Sequence, residues 1–64
     1  MITATAFPVF EDGRSGDAFA LASGPNFRKA LWNLQAYHLD AWRRVEERPD
    51  VITVSVEVAE AVPK

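Results

Sequence analysis

The sequence predicts a two-layer α+β domain in which one long helix packs on a three-stranded, mainly antiparallel sheet, in the order β-β-α-β. Three observations carry that expectation. A strand-like amino terminus is followed by a glycine-rich acidic loop. A stretch from about residue 26 to 48 contains no helix breaker and lies between two prolines. A final run, VITVSVEVAEAV, alternates apolar and polar residues.

The first strand is read over residues 2 to 10, where Ile, Val, Phe and Thr mix with alanines, and Pro8 marks an edge or a bulge. EDGRSGD, residues 11 to 17, holds three acids and two glycines between apolar runs, the chemistry of a solvated hairpin tip. A short second strand, DAFALAS, sets Phe19 and Leu21 on one face and its alanines on the other. SGPNF then opens the helix, with Pro25 suited to the first turn and Ser23, Gly24 or Asn26 available as a cap. Pro49 stops it, because a proline disfavours helical geometry in the residue before it. In the third strand Ile52, Val54, Val56 and Val58 share one face, while Thr53, Ser55 and Glu57 share the other. The strand order 2-1-3 is favoured over a parallel neighbour for the third strand, because it leaves every pairing antiparallel.

At about 100° per residue, Phe27, Leu31, Leu34, His38, Ala41 and Val45 form the core stripe, with Ala30, Tyr37 and Trp42 on its margins. Trp32, Ala36 and Leu39 fall roughly 120° to 180° round from Phe27, close to Arg28 and Arg43. Apolar surface therefore spans more of the circumference than one small sheet can hide. Tryptophan and arginine dominate interface energetics, so Arg28, Trp32, Leu39, Trp42 and Arg43 are the expected partner-binding residues. A stacking of Arg28 on Trp32 is the surface alternative.

All 64 residues form one small domain, and a domain of this size buries only about 60% of its unfolded surface. Without cysteine a disulfide framework is excluded, which leaves association as the natural reinforcement and fits a cytoplasmic location. No stretch approaches membrane-spanning length, and MITATAFPVF lacks the basic start and continuous apolar run of a signal peptide.

His38, the single histidine, sits in the core stripe with no cysteine or second histidine to form a metal site, and the serines at 15, 23 and 55 have no pairing motif with it. No catalytic, cofactor or metal residue is expected. A basic pair, Arg28 and Lys29, beside the free N–H groups of the helix start is a weak anion signal. The expected function is a non-enzymatic protein–protein interaction module, self-associating, that acts as a regulator, inhibitor or accessory subunit of a larger protein or complex. The alternative is a nucleic-acid-binding regulator that presents Arg28, Lys29, Arg43, Arg44 and Arg48 to phosphates, against which stands a net charge of −2.

Overall fold

A computed structural model describes residues 1–60. The elements are β1 (Ile2–Phe10), β2 (Ala20–Gly24), α1 (Phe27–Tyr37), α2 (Leu39–Glu46) and β3 (Val51–Glu60). The sheet has the order β2-β1-β3, with both pairings antiparallel. The α+β class and the strand order agree with the sequence reading. The single long helix does not: the order is β-β-α-α-β, and the chain leaves helical geometry at His38 (φ −125°, ψ 30°).

The break follows from the path that the helical segment must take. In the order 2-1-3 it leaves β2 at one edge and enters β3 at the other, crossing over β1. Helix α1 packs on β2 and β1, whereas α2 packs against β3, and a straight rod would not reach both. His38 ends α1, and its carbonyl oxygen accepts the Trp42 N–H at 2.9 Å to start α2. No glycine or proline marks this point.

Pro8 lies in the central strand, neither at an edge nor inside the irregularity, which falls one residue later between Val9 and Phe10. The carbonyls of Ala6 and Pro8 both point towards the β2 side, accepting from Phe19 and Gly16 at 3.0 and 2.8 Å. Beyond the pair Ala6–Ala20 that side meets the β1–β2 loop, through a bridge of Val9 with Ser15, so the missing proline N–H breaks no hydrogen bond of the β1–β2 ladder. The loop between β1 and β2 closes with Gly13 at φ 85°, the left-handed conformation that its sequence suggests. Asp12 Oδ1 accepts the Arg14 N–H at 3.0 Å within it.

The helix cap is Asn26, whose Oδ1 accepts the Lys29 N–H at 2.8 Å. Pro25 precedes the cap instead of occupying the first turn. Gly24 permits the closest approach of the three glycines: a Cβ there would lie 2.6 Å from the Ala30 backbone nitrogen. Ala30 is thereby pinned against the end of β2.

This contact rotates α1 relative to the expected wheel. The buried stripe centres on Ala30 and Leu34, roughly 40° from the expected centre. Phe27, assigned to the core stripe, is instead 55% exposed. Leu31 stays partly buried and Val45 is buried, as expected. Beneath the helix lie Ala4, Ala6 and Ala20, small side chains that draw α1 close to the sheet. Leu34 is the one large side chain fully buried among the described residues.

Candidate interaction surface

Helix α1 covers β2 and β1 and leaves much of β3 bare on the same face. Register places Val54, Val56 and Val58 opposite Pro8, Ala6 and Ala4, so these valines occupy the helix-bearing side. An open cleft of about 760 Å³ lies between them and the helix. Its strand side is Val56 and Val58, and its helix side is Phe27, Leu31 and Trp32, with Arg28 and Gln35 beside them. These helical positions are the flank that the rotation about Ala30 turns towards β3.

Three of the five expected partner-binding residues meet here: Arg28, Trp32 and Trp42 all line the cleft. Trp32 is 60% exposed. Trp42 is half-buried and stands edge-on to Phe19, with ring centroids 5.5 Å apart. Leu39 is exposed but belongs to a separate shallow depression with Tyr37 and Arg44, because the break at His38 takes it out of phase with Trp32. Arg43 is exposed and lines neither surface. The cation that stacks on Trp32 is the Lys29 ammonium, at 4.7 Å, and not the Arg28 guanidinium of the surface alternative. Phe27, Val56 and Val58 also line the cleft; the sequence places Phe27 in the core stripe and the two valines on the apolar face of the third strand.

The two outer edges of the sheet differ sharply. On β2, the carbonyl of Ser23 accepts from the Asn33 amide at 2.9 Å and that of Leu21 bonds the His38 imidazole at 2.8 Å. Side chains of the helical segment thus cap that edge. On β3 the alternation of an antiparallel ladder gives the inward bonds to Thr53, Ser55, Glu57 and Ala59. The backbone groups of Val54, Val56 and Val58 then point outward along the free edge, while Ile52 is the residue that the register shift leaves unpaired.

Charges are sparsely paired. Arg48 grips Asp50 with two hydrogen bonds, at 2.8 and 3.1 Å, and its guanidinium lies 5.5 Å from the Phe10 ring centroid. That grip holds the Asp50 carboxyl below its ordinary range. Among the described residues the other ion pair is Arg14 with Asp12, and Asp40 makes none with Arg43 or Arg44 despite their helical spacing. No described helix is long and apolar enough to cross a membrane. Searches of protein-family models, of curated proteins and of solved structures find no match to this chain.

Proposed function

We propose that this protein is a cytoplasmic, non-enzymatic protein–protein interaction module that acts by occupying a surface of itself or of a larger assembly, as a regulator, inhibitor or accessory subunit. The observation that carries the reading is the open cleft over β3, whose Phe27, Trp32 and Val58 remain exposed on the side of the sheet where a core would be. A cluster of aromatic and aliphatic groups flanked by an arginine has the composition of an interface centre. His38, the one candidate for acid–base work, already bonds a backbone carbonyl. For the nucleic-acid alternative, Arg48 is engaged by Asp50 and Lys29 lies on Trp32, which removes two of its five cations from a free basic face.

The test is affinity capture from the native host with wild type and Trp32→Ala, together with sedimentation of both. The reading expects an association, with a second copy or a stoichiometric partner, that Trp32→Ala weakens by about tenfold or more, and that changes little between low and physiological salt. A steeply salt-dependent complex with DNA or RNA would replace it with the nucleic-acid reading.

A further inference from the structure

We propose that the occupant of the cleft is a second copy of this chain, joined edge to edge through β3 about a two-fold axis near Ser55, so that two three-stranded sheets become one of six strands. The inference rests on the reading of this protein as an interaction module and identifies its partner.

Among the described residues the sheet has one uncovered edge. The β2 edge is closed by Asn33 and His38, whereas β3, at ten residues the longest strand, presents the outward backbone groups of Val54, Val56 and Val58. Ile52 is 61% exposed and Val58 38% exposed, an apolar lining directly beside that edge. This edge strand carries neither lysine nor proline, and the devices that would keep it apart are limited to Glu57, Glu60 and the irregularity at its start.

A two-fold perpendicular to the sheet pairs β3 with itself in antiparallel fashion and keeps both helical layers on one side. Centred on Ser55, it sets Ile52 opposite Val58 and Val54 opposite Val56 of the second copy. The inner-face side chains Val54 and Val56 then meet each other across the axis. Glu57 falls opposite Thr53 of the second copy, and the two Glu57 side chains stand about 13 Å apart, four residues along the strand. A centre at Val56 would bring them within two residues of one another, where like charges repel.

The same register joins complementary surfaces. Near the start of β3, α2 contributes Glu46 and Trp42 to a depression over Val51 to Val54. Near its end, α1 contributes Arg28, Phe27 and Trp32 to the cleft over Val56 and Val58. Antiparallel pairing lays the first region of each copy beside the second region of the other. Glu46 then approaches the Arg28 of its partner, and the α2 of one copy closes the cleft of the next.

The exposed area is of the right size. The chain presents 4796 Å², against roughly 4,100 Å² for a compact monomer of its mass. The surplus of several hundred Å² is comparable with the roughly 800 Å² that each partner contributes to a standard interface. The radius of gyration, 12.4 Å, likewise exceeds the roughly 10.7 Å of a compact chain of this length.

The test uses the whole chain, which lacks cysteine. Across the axis, the two Ser55 residues form a non-hydrogen-bonded pair with Cα atoms about 4.5 Å apart, within the span of a disulfide. Ser55 lies on the exposed face opposite the helices, so Ser55→Cys leaves the core intact. Sedimentation of wild type should show a dimer, and mild oxidation should convert Ser55→Cys to a covalent dimer while Glu57→Cys, with its two thiols far apart, stays uncrosslinked. A monomer at all concentrations, or a dimer in which Ser55→Cys resists crosslinking, overturns the proposal. A monomer that still captures a partner in a Trp32-dependent way would leave the interaction reading standing and remove only this one. A monomer that captures nothing removes both.

Discussion

The His38 imidazole bonds the Leu21 carbonyl oxygen at 2.8 Å, across 17 residues of sequence, at the point where the helical segment breaks in two. The contact does two jobs. It ties the end of α1 to the outer edge of β2, and it gives an otherwise open strand carbonyl a partner. His38→Ala should cost about 1 kcal/mol in a urea titration, the usual worth of one such bond. Faster hydrogen exchange should be confined to β2 and to the junction of the helices. Exchange that accelerates evenly throughout the fold would deny His38 this local role.

Gly24 makes a sharper prediction. A Cβ at this position would fall 2.6 Å from the Ala30 nitrogen and 2.9 Å from the Lys29 carbonyl carbon, and both are backbone atoms that cannot rotate aside. Gly24→Ala should therefore lift α1 off β2 and destabilise the chain by about 1 to 3 kcal/mol. Gly13→Ala, where nothing lies within 4 Å but φ is +85°, should cost about 1 kcal/mol from backbone strain alone. Thermal melts of the two variants rank them directly, and an equal loss would mean that α1 moves freely at its amino terminus.

The Arg48–Asp50 pair fixes the turn into β3, and the Asp50 carboxyl is held below its ordinary range chiefly by the hydrogen bonds from Arg48. A carboxyl depressed on folding contributes stability above its unfolded value, and that contribution disappears as pH falls through the folded one. The expected consequence is a shallow acid limb, small because the pair is exposed and screened by solvent. Asp50→Asn should flatten that limb through a small loss of stability near neutral pH, with little change in acid, where the carboxyl is already protonated. A carboxyl-carbon NMR titration checks the direction: a midpoint for Asp50 at or above that of a free aspartate would contradict it.

Much of this fold was legible in the chain. Alternation in β3, the turn chemistry around Gly13 and the stop at Pro49 are local signals, and each appears where the residues place it. The helix break was not, because no residue between Asn26 and Arg48 disfavours helix; it arises from the crossing of β1 that the strand order imposes. The interaction surface was half legible. Trp32 stood out as surplus to the core, and it is exposed. Its grouping with Leu39 assumed one continuous wheel, and its true neighbours, Phe27 and Val58, carry core-like spacing in the sequence. Phe27 reaches the surface because the contact of Gly24 with Ala30 rotates the helix, and Val58 because α1 packs on β2 and β1 and leaves the end of β3 bare.

Leu34 and Trp32 lie two positions apart in α1 and should separate stability from association. Leu34 is the one large side chain fully buried among the described residues, so Leu34→Ala should cost about 2 to 5 kcal/mol. A loss of that size can exhaust the whole stability of a 64-residue chain. Trp32, exposed and touched by Lys29, supports little of the monomer's own packing. Trp32→Ala should therefore keep the far-ultraviolet circular dichroism of the wild type at a concentration where Leu34→Ala has unfolded. Any stability that Trp32→Ala does lose should grow with protein concentration, because it reflects lost association. A concentration-independent loss as large as that of Leu34→Ala would make Trp32 part of the core and close the cleft as an interface.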